Sequence, residues 1–277
     1  MKFTKMHGLG NDFILTEQNS ELPSNMSPLA VTLCDRRLGI GADGLVIVHP
    51  SVRASVRMQI FNADGSEPDM CGNAIRCFSK YVYERGIVSQ TTFEVETGAG
   101  IMVPELTVRD GRVASVRVNM GKPDLERAHI PMTGSAGHVV DESLSIGSQV
   151  HQITSLLMGV PHTQIFVDDV EDVELDALGP AIEKHERFPK GTNVNFIQVI
   201  NPTEVKVRTW ERGAGATLAC GTGSCASVVS GVLNRLTDRN VTVHLRTGHL
   251  EIEWTSDDIV YMTGPATEVF TGIFTID

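Results

Sequence analysis

Short runs of alternating or β-branched apolar residues recur along the chain. Runs of this kind predict strands with at least one buried face. In the N-terminal half the predicted strands are DFILTE, GLVIV, SVRMQIF, TFEVE and VASVRVN. In the C-terminal half they are TQIFV, VNFIQVI, EVKVRTW, VTVHL and LEIEW. The two halves therefore have a similar content of strands.

Each half also contains two predicted helices. The first covers residues 27–39, with Ser27 as N-cap, Pro28 at the first helical position and Gly39 as a stop signal. Its counterpart in the second half covers residues 172–188, where the Gly-Pro pair inside DALGPAIE interrupts the pattern.

The other two predicted helices begin at two Cys-Gly pairs. One runs from Gly72 to Arg85 and should end at Gly86. The second follows Cys220, and its apolar side chains keep helical spacing at Cys225, Val229, Val232, Leu233 and Leu236. Both helices are expected to be buried.

The chain resembles itself at a separation of about 150 residues. Equivalent positions occur in the same order in both halves: Gly8 and Gly159, Asn11 and His162, Cys71 and Cys220, Thr97 and Thr247. This separation is far too long for a solenoid repeat and predicts two similar domains. We expect the first at residues 1–121 with a returning C-terminal strand at 266–277, and the second at residues 122–265.

Composition limits the possible functions. The 277 residues are 41% hydrophobic and 21% charged, which is typical of a globular protein, and the net charge is −11. Such a charge disfavours nucleic acid and anionic membranes as partners. The N-terminal segment lacks the apolar core of a signal peptide, and no apolar run approaches the roughly 18 residues of a membrane span. We expect a cytoplasmic protein.

The five cysteines are predicted to be free thiols, because an odd number does not suit a disulfide framework. Cys34, Cys77 and Cys225 lie inside predicted helices and read as small core residues. Cys71 and Cys220 differ, because each stands where a helix begins. There the helix dipole and the free N–H groups favour thiolate, lower the thiol pKa and bind anions.

Four interpretations of Cys71 and Cys220 compete. Buried structural thiols are one, although two such thiols at equivalent places in a repeat weaken it. A metal site would need closer cysteine spacing than the chain offers. A redox pair is open but lacks a C-x-x-C motif. Acid–base catalysis explains the duplication, since inverting a stereocentre by proton transfer removes hydrogen from one face and returns it to the other.

No lysine-centred pyridoxal phosphate motif is evident, so a carbanion would have to be stabilised by the protein itself. Helix N-termini that hold the substrate carboxylate would do this electrostatically. We therefore expect no cofactor and no metal.

The segments HGLGNDF, NADGSEPDMCGNAIRC, MGVPH, GTNVNF and ERGAGATLACGTGSCA closely resemble diaminopimelate epimerases. These are two-cysteine amino-acid epimerases that do not use pyridoxal phosphate, and the resemblance spans nearly the whole chain. It implies two α/β (α+β) domains, each a mixed β-sheet curled into a barrel around a central helix. It also implies a homodimer that converts LL-2,6-diaminoheptanedioate to the meso form for lysine and cell-wall synthesis.

The resemblance also implies residue roles. Cys71 and Cys220 would be the catalytic acid and base. Glu211 would contact the reacting amino group, with His162 close by. The substrate's polar ends would bind Asn11, Asn62, Asn193 and Arg212. The reacting carboxylate would bind the backbone of Gly72, Asn73, Gly221 and Thr222.

Three positions depart from the common pattern of the resembled family. Val160 stands where many members have Asn, Ala216 where Glu is usual, and Gly44 where some have Gln. The family's Asn helps to hold the distal carboxylate, and Val cannot donate that bond. Val160 therefore keeps one other enzyme function open, a two-cysteine racemase of another amino acid, such as histidine. A thiol redox sensor is the non-enzyme alternative, because Cys71 and Cys220 could oxidise to a disulfide.

Overall fold

The computed structural model describes residues 1–19 and 22–275. The chain forms two compact units, one of Met1–Asn119 with Thr263–Asp277 and one of Met120–Met262. Residues 276 and 277 of the expected C-terminal strand lie outside the described residues. No helix in the described part of the chain is long and apolar enough to cross a membrane.

The first unit is built on a seven-stranded sheet. Numbered in chain order, its strands are β1 (Lys2–Gly8), β2 (Asn11–Glu17), β3 (Gly44–His49), β4 (Val56–Asn62), β5 (Val95–Thr97), β6 (Gly100–Met102) and the late strand β18 (Thr267–Ile273). Their order in the sheet is β18-β1-β2-β3-β4-β5-β6. The pairs β2–β3 and β4–β5 are parallel and the others are antiparallel. An antiparallel hairpin of β7 (Glu105–Arg109) and β8 (Arg112–Asn119) completes the strands of this unit.

Two helices, α1 (Ser27–Cys34) and α2 (Gly72–Glu84), belong to this unit. The longer α2 packs against β1, β2, β3, β4 and β8, and most of its residues are buried. It ends where the sequence predicts, because Gly86 takes the left-handed conformation with φ +71°. Helix α1 packs on the sheet through Leu33, which joins a cluster with Ile14 and Leu45.

Helix α1 is shorter than the predicted 27–39. Met26, not Ser27, is its N-cap, and the hydroxyl of Ser27 donates instead to the carbonyl of Gly65 at 2.7 Å. The helix stops at Cys34 because Asp35 has an extended ψ of 123°. The side chain of Asp35 then accepts two N–H groups of the following turn, both at 2.7 Å.

The second unit has its own set of strands and helices. Its strands are β9 (Val139–Ile146), β10 (Gln149–Met158), β11 (Val160–Phe166), β12 (Asn193–Asn201), β13 (Glu204–Glu211), β14 (Gly215–Thr217), β15 (Asn240–Leu245), β16 (Gly248–Trp254) and β17 (Val260–Gly264). Their order is β17-β16-β15-β13-β12-β11-β10-β9, with β14 paired to β13. Its helices are α3 (Leu175–Glu183), which is shorter than the predicted 172–188, and α4 (Gly221–Leu233).

Helices α3 and α4 pack on this sheet in different ways. The buried α4 contacts β10, β11, β12, β13, β15 and β16. Helix α3 packs through Ile182, in a cluster with Ile165 and Phe196. Gly179 of α3 lies against Trp210, because a Cβ at this glycine would come within 2.5 Å of the indole ring. The glycine in the Gly-Pro pair is therefore required for packing.

The two units repeat one topology. The run β1-β2-β3-β4-β5-β6 in the first unit corresponds to β10-β11-β12-β13-β15-β16 in the second, with the same parallel and antiparallel sense at each step. A helix follows the second and fourth strands of each run. This recurrence matches the internal repeat of the sequence. It also confirms the mixed α+β class, whereas closure of either sheet into a barrel stays a prediction.

Candidate functional site

Cys71 is the residue from which α2 starts. Its extended backbone, with φ −141° and ψ 122°, makes it the N-cap, and its carbonyl accepts the N–H of Ile75 at 3.0 Å. The first-turn N–H groups, from Gly72 and Asn73 onward, have no carbonyl partner within the helix. The thiol of Cys71 is thus attached at the positive end of a buried helix.

Asn11 lies beside Cys71. Its Oδ1 accepts a hydrogen bond from Nδ2 of Asn73 at 3.0 Å and lies 3.9 Å from Sγ of Cys71. Its Nδ2 donates to the carboxylate of Asp43 at 2.8 Å, which fixes the orientation of the amide. The structure therefore brings together Asn11, Cys71 and Asn73, three of the residues predicted for this part of the site.

Asn62 is placed differently. It ends β4 on the surface, its Nδ2 donates to Oγ of Ser66 at 2.9 Å, and its N–H donates to the carbonyl of Ser66 at 2.8 Å. These bonds hold the turn of NADGS. A substrate-binding role for Asn62 stays a prediction.

Cys220 has the equivalent place in the second unit. Its extended backbone, with φ −119° and ψ 112°, makes it the N-cap of α4. Its sulfur accepts the N–H of Gly223 at 3.4 Å and lies 3.5 Å from Oγ1 of Thr222. Only 5% of the residue is exposed. The sulfur therefore faces the N–H groups of its own helix in a buried position.

Burial, however, raises the pKa of the Cys220 thiol, and the charge of Glu211 raises it further. The hydroxyl of Thr222 and the N–H of Gly223 act in the opposite direction but do not compensate. The expectation that a helix N-terminus lowers the thiol pKa is wrong for Cys220. Desolvation of the thiolate raises the pKa by more than the helix N-terminus lowers it. The Cys220 thiol is therefore protonated at neutral pH.

His162 is connected to Cys220 through Thr222. Nε2 of His162 lies 3.0 Å from Oγ1 of Thr222, the hydroxyl that also contacts the sulfur. The imidazole is fully buried, and this burial, together with the charge of Arg212, lowers its pKa to about 3. His162 is therefore neutral at physiological pH.

Asn193 and Arg212 are also in contact. Oδ1 of Asn193 accepts the backbone N–H of Arg212 at 2.7 Å. The guanidinium of Arg212 donates to the carbonyl of Lys190 at 2.7 Å and lines a surface cleft of about 360 Å³. Glu211 ends β13, and its carboxylate accepts the hydroxyl of Thr217 at 2.6 Å. The predicted residues of the second unit thus lie in two linked groups, around Cys220 and around Arg212.

Two of the three unusual positions have a structural context. Val160 is 36% exposed at the start of β11, two residues before His162. Gly44 begins β3, where an added Cβ would lie 2.8 Å from the carbonyl oxygen of Phe61. The backbone at Gly44 therefore leaves no room for a glutamine side chain. The structure gives no account of Ala216.

The remaining cysteines are core residues, as predicted. Cys34, Cys77 and Cys225 are buried, and burial raises the pKa of Cys34 to about 11 and that of Cys77 to about 12. All five cysteines are thiols outside any disulfide. Within residues 1–19 and 22–275, no group of three or more His, Cys, Asp or Glu side chains could hold a metal ion.

Chemically, the arrangement offers two thiols at equivalent helix N-termini. Each is accompanied by first-turn N–H groups that can bind an anion. The Cys71 thiol has an amide neighbour in Asn11, whereas the Cys220 thiol has a hydroxyl, a neutral imidazole and a carboxylate near it. Such groups can hold a carboxylate and exchange one proton each.

Comparison with known proteins gives consistent results. A family model described as diaminopimelate epimerase matches residues 3–126 and 154–269. A diaminopimelate epimerase of Pelotomaculum thermopropionicum is 58% identical over 274 residues, covering 98% of each chain. One of Moorella thermoacetica is 53% identical over 279 residues, covering 100% of each. Among solved structures, a phenazine biosynthesis protein of the PhzF family from Bacillus anthracis matches with a TM-score of 0.72 at 15% identity, covering 100% and 99% of the chains. At that identity the likeness concerns the fold alone.

Proposed function

The chain belongs to the diaminopimelate epimerase family, and from this premise we propose that it epimerises diaminopimelate with Cys71 and Cys220 as the two acid–base residues. The observation that carries the proposal is the equivalent position of the two thiols. Each is the N-cap of the helix that follows the fourth strand of the repeated topology. A duplicated thiol is what a proton exchange at two faces of one carbon requires.

The proposed reaction moves one proton in and one proton out. The thiolate of one cysteine removes the proton from Cα, which leaves the electron pair on the carbon. The thiol of the other cysteine then delivers its proton to the opposite face, and the stereocentre is inverted. Each turnover converts one thiolate to thiol and one thiol to thiolate, so the net proton count is unchanged. Cys220, which is protonated at rest, begins as the donor.

The carbanion is stabilised by electrostatics. We place the reacting carboxylate at the backbone N–H groups of Gly72, Asn73, Gly221 and Thr222, in the first turns of α2 and α4. Dipoles that are already oriented in a buried site lose little free energy to reorganisation as charge develops. The reaction then needs no pyridoxal phosphate, and no metal takes part in it.

The other polar groups hold the rest of the substrate. We assign Asn11, Asn62, Asn193 and Arg212 to its polar ends, and Glu211 with His162 to the side of the reacting amino group. Asn11 is well oriented for this, because Asp43 fixes its amide. Oδ1 of Asn73 is buried without a hydrogen-bond donor among the described residues, so a donor on the substrate can satisfy it.

In the cell we propose a cytoplasmic homodimer that acts on this small molecule in lysine and peptidoglycan biosynthesis. The support is the family membership, together with a net charge of −11, which does not suit nucleic acid or anionic membrane lipids.

Proton exchange in deuterated water tests the proposal. LL-diaminopimelate would be incubated with the protein and a reductant, without added cofactor, and compared with L-histidine, L-lysine and L-glutamate. We expect deuterium at Cα and meso product from diaminopimelate alone. Exchange into another amino acid instead would be compatible with the two-thiol chemistry but would refute diaminopimelate as the substrate. No exchange into any of them would refute the reaction. Exchange that is lost in oxidant should return with reductant, because oxidation of the two thiols is a liability of this mechanism rather than its purpose.

A further inference from the structure

A buried hydrogen-bonded chain leads from the sheet of the second unit to Cys220. It starts at Thr209 in β13, whose hydroxyl donates to Oδ1 of Asn195 at 2.9 Å. Asn195 lies in β12, directly across from Thr209 in the antiparallel register. Its Nδ2 lies 3.1 Å from Nδ1 of His162. Asn195 and His162 are fully buried and Thr209 is 3% exposed, so these bonds are isolated from solvent.

The donors and acceptors of this chain permit one arrangement of protons. Because Oδ1 of Asn195 accepts from Thr209, the NH2 group of the amide faces His162. An amide NH2 group can only donate, so Nδ1 of His162 must present a lone pair. The single proton of the neutral imidazole is then on Nε2. Nε2–H donates to Oγ1 of Thr222, which leaves the proton of that hydroxyl free to point at Cys220.

We propose that Asn195, held by Thr209, is a positioning residue that fixes His162 in the Nε2–H form and thereby directs the Thr222 hydroxyl proton at the sulfur of Cys220. The hydroxyl then stabilises the thiolate that Cys220 becomes when it gives up its proton. The inference rests on the proposed function only in giving Cys220 an acid–base role. Asn195 does not touch the sulfur and acts through His162 and Thr222.

Packing supports this reading of Asn195. Gly223, in the first turn of α4, lies close to the amide of Asn195: a Cβ at this glycine would come within 2.4 Å of Oδ1 of Asn195 and 3.2 Å of Sγ of Cys220. A glycine at this position lets the amide approach the helix and lets the Gly223 N–H reach the sulfur. The amide of Asn195 and the thiol of Cys220 therefore both lie against the same small residue, Gly223.

The first test reads the tautomer of His162 without any substrate. Nitrogen NMR of protein labelled in its nine histidines distinguishes a protonated from an unprotonated ring nitrogen, and the signal is assigned by its loss in His162→Asn. We expect Nε2 protonated and Nδ1 unprotonated between about pH 6 and pH 8. In Asn195→Asp the carboxylate can only accept, so Nδ1 should gain the proton. Asn234→Asp, which changes another amide at the end of α4, is the control and should leave His162 unchanged.

The second test measures kinetics. We expect Asn195→Asp to lower kcat about tenfold, to change KM less than about twofold, and to raise the upper pKa of the kcat profile. Thr209→Val should lower kcat and shift the pH profile in the same direction, but by less. Thr209→Ser keeps the hydroxyl and should therefore have the kcat and pH profile of the unmodified protein. Thr209→Val also covers the case in which Asn195→Asp fails to fold.

A protonated Nδ1 in the unmodified protein would overturn the inference, as would an unchanged tautomer in Asn195→Asp or a Thr209→Val enzyme with unaltered kcat and pH profile. Failure of the proposed function is recognised separately, because it would abolish turnover of diaminopimelate in the unmodified protein and leave the NMR result intact.

Discussion

The hydroxyl oxygen of Thr222 lies 3.5 Å from the sulfur of Cys220, within the first turn of the same helix. A hydroxyl that donates to a thiolate stabilises it, and hydrogen bonds to charged groups have larger effects than those between neutral groups. We expect Thr222→Val to lower kcat for diaminopimelate roughly tenfold or more. Thr222→Ser keeps the hydroxyl and should retain most of the activity. If Thr222→Val and Thr222→Ser had equal kcat values and equal thermal stability, the hydroxyl would have no part in the reaction.

The two thiols should be individually essential for inversion. Replacing either Cys71 or Cys220 by Ala removes one proton carrier, so epimerisation should fall by about 10²- to 10⁴-fold. The measurement is conversion of LL- to meso-diaminopimelate by chiral chromatography. Cys34→Ala, a buried cysteine in α1, is the matched control and should keep its activity per folded molecule. Comparable activity of the Cys71, Cys220 and Cys34 variants would refute the assignment.

The buried ion pair between Lys5 and Asp12 should make stability depend on pH. Its atoms are 2.8 Å apart, and the side chains are 8% and 17% exposed. Burial alone would raise the pKa of Asp12, but hydrogen bonds from Arg36 and Lys5 and the charge of Lys5 lower it well below its usual range. A carboxylate with a lowered pKa contributes stability above its unfolded pKa of about 3.9 and loses it as pH falls towards the folded value.

We therefore expect Asp12→Asn to reduce the free energy of unfolding at pH 7 by about 3 kcal/mol, because it leaves the ammonium of Lys5 buried without its partner. The difference from the unmodified protein should shrink as pH falls below about 4. Urea denaturation at several pH values measures it. The more exposed pair of Glu105 and Arg117 is the comparison, and Glu105→Gln should cost less than about 1 kcal/mol. A difference that does not change with pH would contradict this account.

Val160 offers a test of specificity. In the resembled pattern an Asn at this position helps to hold the distal carboxylate, and Val cannot donate that bond. Val160 is partly exposed at the start of β11, so Asn can be introduced without filling the core. We expect Val160→Asn to lower KM for diaminopimelate several-fold, with kcat within about twofold. Val160→Thr, which keeps the branched shape, is the control. An increase in KM would mean that this position does not face the substrate.

The helix starts at Gly72 and Gly221 could be predicted from sequence, because Cys-Gly pairs and helical spacing are local signals. Strand β1 was not predicted, since its sequence KFTKMHG breaks the alternation of apolar and polar residues. The structure explains the exception at Lys5, which is buried because Asp12 of the neighbouring strand neutralises it. A charged partner seven positions away, on the neighbouring strand, leaves no trace in a local pattern of apolar and polar residues.

The candidate site, like the fold, could be predicted from the sequence only in part. The residue types around the two thiols could be identified in advance, but the direction of the Cys220 pKa could not, because it depends on how deeply the folded chain buries the sulfur. Asn195 is not among the predicted site residues, although it lies in GTNVNF, two positions after Asn193. Two asparagines on one face of a buried strand were the available signal, since buried amides require partners.

Strand β18 pairs with β1, and the carbonyl of Phe274 accepts the amino terminus of Met1 at 2.8 Å. The edge of the first unit's sheet is therefore supplied by a segment that follows the whole second unit in the sequence. During synthesis β1 leaves the ribosome before the second unit and β18 after it, so β1 has one unpaired side while Met120–Met262 emerges and folds. The second unit is continuous and can reach its native structure during translation, whereas the first can be completed only after the strand Thr267–Ile273 has left the exit tunnel.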